Sequence, residues 1–330
     1  MISQVRAWAA KAAVAVCTLG TVGTLAAAGM GDGPLAEVAQ ELGLDSVGEA
    51  SSRIVWYPTS DHARAYWADH DPDYADSDRE MHDDLLDDTL TDVAMWVADS
   101  IDGSAAETQG GTLPEMGLLM TLDDTGTAVP VCSATIVTSP TRDRVLTAAH
   151  CLDGVTSDLV FIPDYHDGQA PLGVWDVTAA AIDPRYGTSP SGDQAVLVIA
   201  DRGGEKIEDA VGSLDPAYDV SPNRSSVIMA GYPYATVEPR LCRSSTSAYS
   251  EAGDTFLAMH CAAMPSGVSG GPWLSETDDV VIIGVTGGGA DGGGYTDDDS
   301  VATRLSESTR QLIEGTVTRH EHRILASTIR

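Results

Sequence analysis

Positive charge is what this sequence lacks most. Of 330 residues only 18 are Lys or Arg against 50 Asp or Glu, for a formal charge of −32. Lys11 and Lys206 are its only lysines. So acidic a chain repels phosphate backbones and anionic membrane surfaces, which excludes nucleic acid and argues against a stable membrane partner. The balance suits a solvated extracellular or salt-exposed protein. Genomic codon bias produces the same pattern, so composition does not choose between these causes. Internal repeats are absent, and so is a long apolar run outside the N-terminus. Hydrophobic residues still make up 43% of the chain, ample for at least one buried core.

Cysteine is sparse and its spacing excludes some chemistry. Cys17 lies in the N-terminal apolar run after Val16, where a lipoprotein signal would carry a small residue. It reads as an apolar residue of that run, with lipidation as the alternative. That run, Ala12 to Ala28, carries no charge and follows Arg6 and Lys11, with Ala26, Ala27 and Ala28 offering a small-residue cleavage site. Residues 1–28 therefore read as an export signal, with a retained membrane anchor as the alternative. Export leaves Cys132, Cys151, Cys242 and Cys261, an even set for which disulfides are the ordinary expectation. Four cysteines permit three pairings. Sequential pairing would close two loops of about 20 residues, each worth roughly 3 kcal/mol in the chain-entropy account. No cysteine pair has the close C-x-x-C spacing of a structural zinc site.

Residues 29–112 form a segment of different texture, in which acids far outnumber Arg53, Arg64 and Arg79. Within it Met81, Leu85, Leu86, Leu90, Val93, Trp96, Val97 and Ile101 recur at helical spacing, predicting an amphipathic helix with an acidic outer face and a stop at Gly103. The segment reads as a propeptide or as a solvated N-terminal extension. From Leu113 the pattern changes to short runs of Val, Ile, Leu and Thr broken by Gly, Pro, Asp and Ser. Strands are expected at residues 117–122, 131–138, 144–148, 159–162, 173–182, 194–200, 226–231, 256–261, 272–275, 280–285 and 301–305. So many short strands indicate an all-β sandwich or pair of barrels. In a double barrel the divide falls between the Asp193 region and the strand at Ser226. Residues 307–314 have helical character and close the domain, leaving a polar tail over 316–330 that contains His320 and His322.

Three stretches carry candidate chemistry. Thr147-Ala148-Ala149-His150-Cys151 ends a β-rich run at a histidine, a candidate base. Gly192-Asp193-Gln194-Ala195-Val196-Leu197 places an acid at the start of an apolar strand. Gly267-Val268-Ser269-Gly270-Gly271-Pro272 surrounds a serine with glycines, which permit the tight backbone needed to aim N–H groups at a substrate carbonyl. Asp176 and Asp183 are alternative acids. The stretch from Gly287 to Asp299 could offer oxygen ligands to calcium, although the spacing of a known calcium loop is absent and a surface loop is the alternative.

These motifs, in the order His, Asp, Ser, resemble the trypsin-like serine peptidases. CSATIV from Cys132, GVWDV from Gly173, GYP from Gly231, GVTGG from Gly284 and ATRL from Ala302 are similar to the bacterial secreted branch, so the resemblance covers roughly residues 113–315. It implies a chymotrypsin-like double six-stranded barrel with a short C-terminal helix. It further implies a monomeric, cofactor-free endopeptidase acting on protein or peptide substrates. Ser269 would be nucleophile, His150 general base and Asp193 its orienting acid, with the Gly267 and Ser269 N–H groups as oxyanion hole. Cys132 would pair with Cys151, and Cys242 with Cys261.

The chain also departs from the family. Val268 stands where animal trypsins carry an aspartate that pairs with the new N-terminal amine, so that route of activation is excluded. Ala263 occupies the position of the acid that selects basic side chains. Thr286 stands where glutamate-specific relatives place histidine. A small or apolar P1 residue is the expectation. Two other readings compete. The G-x-S-x-G pattern also fits an α/β-hydrolase esterase, but Gly270, Gly271 and Pro272 break the helix that fold needs after its serine. A non-catalytic binding or regulatory module on the protease fold is the second.

Overall fold

A computed structural model describes residues 52–71, 74, 107–111, 113–262, 264–276, 280–288 and 299–315. The expected export signal, the helix over Met81–Ile101 with Gly103, and the 316–330 tail with His320 and His322 lie outside these residues. The chain enters the fold through β1 (Arg53–Trp56), helix α1 (Asp61–His70) and β2 (Glu107–Gly110). The first barrel comprises β3 (Met116–Leu122), β4 (Ala128–Ile136), β5 (Arg144–Thr147), β6 (Val160–Pro163), β7 (Trp175–Ile182) and β8 (Ala195–Ile199). They pair in the order β7-β6-β3-β4-β5-β8, and a β7–β8 ladder closes the ring.

Helix α2 (Ile207–Val211) and the two-residue β9 (Asp215–Pro216) lead into the second barrel. That barrel contains β10 (Arg224–Gly231), β11 (Arg240–Glu251), β12 (Asp254–His260), β13 (Pro272–Ser275), β14 (Val281–Thr286) and β15 (Asp299–Arg304). Its order is β10-β13-β14-β15-β12-β11, closed by β10–β11, and helix α3 (Glu307–Glu314) follows. Two closed six-stranded antiparallel barrels and a short C-terminal helix are the chymotrypsin-like architecture expected, and closure leaves few free strand edges.

Packing explains why these segments form strands. All four residues of β5 and all but one of the five in β8 are buried, so they read as near-continuous apolar runs, whereas β7 begins in alternation. Phe161, Trp175, Leu146 and Leu119 fill the first barrel. Trp273, Met229, Leu257 and Ile283 fill the second, together with the buried sulfurs of Cys242 and Cys261. Gly117 is required where β3 crosses β6, because a Cβ there would lie 2.4 Å from the Ile162 carbonyl and 2.5 Å from the Phe161 ring.

Two features of the fold are not marked in the composition. β1 pairs antiparallel with β7 and β2 pairs with β11, so described parts of the acidic segment are built into both sheets. The longest strand, β11, went unrecognised because its Arg-Ser-Ser-Thr-Ser-Ala core lacks apolar alternation. Its partner β12 folds back through Ala252 and Gly253, whose φ values of 53° and 91° make the tight turn that matches strand twist.

The disulfides join Cys132 to Cys151 and Cys242 to Cys261, each across 19 positions of sequence. Replacing Cys132 and Cys151 together with serine should lower unfolding free energy by about 3 kcal/mol. Urea denaturation reads this directly, and an unchanged midpoint would show that the bridge does not restrain the unfolded chain.

Candidate active site

His150 sits on a single 3₁₀ turn, Ala149–Leu152, immediately after β5, so barrel geometry fixes where its ring begins. Its Nδ1 lies 2.8 Å from Asp193 Oδ2. The His150 backbone N–H donates to Asp193 Oδ1 at 2.9 Å. A third donor comes from the other barrel, where the Gly288 N–H reaches Asp193 Oδ2 at 2.7 Å. Asp193 is 5% exposed. Burial alone would push its carboxyl up. The bond and charge of the His150 ring, with the Gly288 and His150 backbone N–H groups, outweigh burial and hold it below the usual carboxylate range. Burial likewise pulls the His150 imidazole down, but Asp193, aided by Asp153, leaves it net above 6.5. An ionised carboxylate only accepts, so the facing Nδ1 carries the proton and Nε2 keeps its lone pair.

The loop bearing Asp193 is anchored at both ends. At its start Asp183 is 1% exposed and accepts from Arg185 Nη2 at 2.9 Å and from the Ser308 hydroxyl at 2.9 Å. At its end Gln194 Nε2 donates to the Arg304 carbonyl at 2.9 Å, while Thr309 of α3 donates to Gln194 Oε1. Asp183 is thus occupied away from His150. Asp176, the other alternative, accepts from Tyr74 at 2.8 Å and Thr59 at 3.4 Å. Of the three acids weighed, Asp193 is the one hydrogen-bonded to the histidine.

The serine loop is fixed mainly through Ser133, which sequence reasoning missed. Ser133 N–H donates to the Ser269 carbonyl at 2.8 Å, and its hydroxyl donates to the Gly267 carbonyl at 3.1 Å. The same hydroxyl accepts from Tyr232 N–H at 2.8 Å. Thr147 Oγ1 donates to the Ser133 carbonyl at 2.9 Å. Gly270 packs so tightly here, at φ +80°, that a Cβ would fall 2.1 Å from the Ser133 carbonyl. Ser133 directly follows the bridged Cys132, so one strand ties the serine loop to the histidine turn. The one available clue was its place inside the CSATIV run.

Among the described residues neither Gly267 N–H nor Ser269 N–H donates a hydrogen bond, so both expected oxyanion donors are free of protein partners. Among the same residues no hydrogen bond joins Ser269 Oγ to His150 Nε2; that nitrogen lies 3.9 Å from Cys151 Sγ. The sulfurs of Cys132 and Cys151 cluster with His150, but their disulfide leaves no thiolate for a metal. Of the stretch considered for calcium, residues 289–298 lie outside the described residues, and Asp299 is paired with His260 at 2.9 Å.

The pocket-side residues are also placed in part. Val268 is buried with Met264 and Trp273 in the second barrel, where it fills apolar space. Ala263 lies outside the described residues. Thr286 is 2% exposed, and its hydroxyl accepts from the Trp273 indole N–H at 3.0 Å.

Two closed six-stranded barrels, with the Asp193–His150 pair hydrogen-bonded at 2.8 Å, have the architecture of the chymotrypsin fold. Residues 132–285 match the family model described as Trypsin-like peptidase domain. Solved structures give the same fold. The protease Anisep from Arthrobacter nicotinovorans superposes with a TM-score of 0.54 at 22% identity, over 62% of this chain and 97% of its own. The thermostable serine protease AL20 from an extremophilic microorganism superposes with a TM-score of 0.52 at 24% identity, over 61% of this chain and 95% of its own. Comparison with curated protein sequences finds no match.

Gly287 offers a test of the site's tolerance. A Cβ there would lie 2.8 Å from Asp193 Oδ2. Gly287→Ala should therefore displace the carboxylate and slow labelling of the serine by an organophosphonate at least tenfold. A labelling rate equal to that of the parent chain would mean that Asp193 does not depend on this clearance.

Proposed function

We propose that the chain is an exported serine endopeptidase that cleaves peptide bonds through an acyl-enzyme at Ser269. The observation that carries this reading is the three-donor seat of Asp193, which fixes the His150 tautomer and leaves Nε2 able to accept a proton. In the reaction Ser269 Oγ attacks the scissile carbonyl carbon while its proton passes to Nε2. The carbonyl oxygen becomes an oxyanion beside the Gly267 and Ser269 N–H groups. His150, now an imidazolium stabilised by Asp193, returns the proton to the leaving amine as the C–N bond breaks. Water then repeats the sequence on the ester and releases the acid. The Ser269–His150 bond belongs to the substrate-bound state, since such contacts often tighten only in the Michaelis complex.

Export is supported by the two disulfides, which persist in oxidising compartments, and by the charge pattern of residues 1–28. No helix among the described residues is long and apolar enough to cross a membrane. A small or apolar P1 preference fits Val268 and Met264, which add apolar rather than charged groups behind the serine loop. Protein or peptide substrates follow from the same reading, and no cofactor enters the chemistry.

Ser269→Ala and His150→Ala should each abolish peptide hydrolysis while leaving the thermal transition in place, and Asp193→Asn should reduce turnover by about 10⁴. Unchanged turnover in Asp193→Asn would remove this residue from the mechanism.

The pH profile supplies a separate check. The base must be neutral, and Asp193 raises the His150 value above 6.5. Activity should therefore fall as pH drops through a limb set above the ordinary imidazole value. In Asp193→Asn burial acts without the carboxylate, so the limb should move to lower pH. A limb that stays where it was in that variant would assign the titration to another group.

A further inference from the structure

The strongest feature outside the site is the way residues 53–74 are seated. β1 pairs with β7 from Arg53↔Ile182 to Trp56↔Ala179. β6 pairs with β7 only at Trp175 and Asp176, so β1 covers the stretch of β7 that β6 does not reach. Tyr57 N–H extends the ladder to the Thr178 carbonyl at 3.0 Å, and Asp158 N–H donates to the Pro58 carbonyl at 3.0 Å. Helix α1 is capped by Ser60, whose side chain accepts from Ala63 N–H, and it buries Ala63 and Trp67 in the same core cluster as the barrel.

The far end of this segment is held by charge. Asp71 Oδ2 accepts from Val174 N–H at 2.8 Å and from Arg202 Nη2 at 2.9 Å, and the Tyr74 hydroxyl donates to Asp176 at 2.8 Å. The near end bears on the site. Arg53 is in register with Ile182, which pairs across to Ala195, and these two residues bracket the loop that carries Asp193.

We infer that residues 53–74 are a permanent strap of the peptidase and not a removable propeptide: a cut anywhere in 75–106 leaves them bound, and their seat steadies the loop that presents Asp193. Only the consequence for Asp193 rests on the catalytic reading above; the retention of the strap does not.

The test uses the full chain with the recognition sequence of a site-specific protease inserted between Asp87 and Asp88. After cutting, size-exclusion chromatography and native mass spectrometry should find both pieces in one species. Organophosphonate labelling of Ser269 should stay within about twofold of the uncut chain. Trp67→Ala in the cut chain should release the N-terminal piece and slow labelling at least tenfold. Separation of the two pieces of the otherwise unaltered cut chain in native buffer would overturn the inference, whatever the labelling rate. Retention in a chain whose serine never labels would uphold the strap and count against the peptidase reading instead, so the two failures are distinguishable.

Discussion

The arrangement depends on a buried carboxylate that stays charged. Removing a carboxylate from water is costly unless hydrogen bonds replace its hydration. Asp193 accepts three, two from the histidine turn of the first barrel and one from Gly288 of the second. Against burial, its pKa is held down and that of His150 is held up, and the hydrogen-bonded charge pair they form is the largest contribution to both directions. Because the carboxylate draws donors from both barrels, the inter-barrel packing and the histidine tautomer stand or fall together. A looser interface would leave the same residues with the wrong proton on the wrong nitrogen.

The serine side is built on a different principle. The backbone of Gly267, Ser269 and Gly270 is fastened to β4 and β14 by Ser133 and the Thr286 carbonyl, while Val268 anchors in the apolar core. The groups that would meet substrate, the Gly267 and Ser269 N–H, carry no protein partner among the described residues. In the proposed reaction, stiffness thus lies in the frame and the partner-free donors beside the reacting carbonyl, the condition under which fixed dipoles stabilise a developing charge without reorganising. The Val268 substitution fits this design. With no acid beside the serine there is no buried ion pair to complete, so the loop takes its shape from packing and hydrogen bonds already present.

What could be read from the sequence divides along physical lines. Strands such as β5 and β8 were visible because burial on both faces forces continuous apolar runs, and the His150, Asp193 and Ser269 motifs stood out because the chemistry proposed for them restricts residue type. β11 was hidden because its polar core, Ser244 to Ser247, is carried in the sheet by backbone pairing to β10 and β12. Ser133 and Gly288 were hidden for a related reason. Their work is done by a hydroxyl satisfying two buried backbone groups and by a main-chain N–H, neither of which leaves a periodic or compositional mark. β1 and α1 were hidden by their acidic surroundings, which read as a propeptide or a solvated N-terminal extension.

The scarcity of cations sharpens this last point. Most acids on the surface have no basic partner to find, so where a cation does meet an acid in partly buried surroundings, the position is informative. Arg144 joins Asp143, Arg185 joins Asp183 and Arg243 joins Glu276, each with at least one member largely shielded from water. Arg202 joins Asp71 of the N-terminal segment at 2.9 Å, both mostly buried, with the guanidinium 5.8 Å from the Trp175 ring centroid. An exposed ion pair would add little, but loss of Asp71 would strand a shielded guanidinium beside an aromatic core residue. In a chain with so few positive charges, the siting of one of them to grip residue 71 is a reason, independent of the β1 ladder, to count residues 53–74 as part of the folded domain.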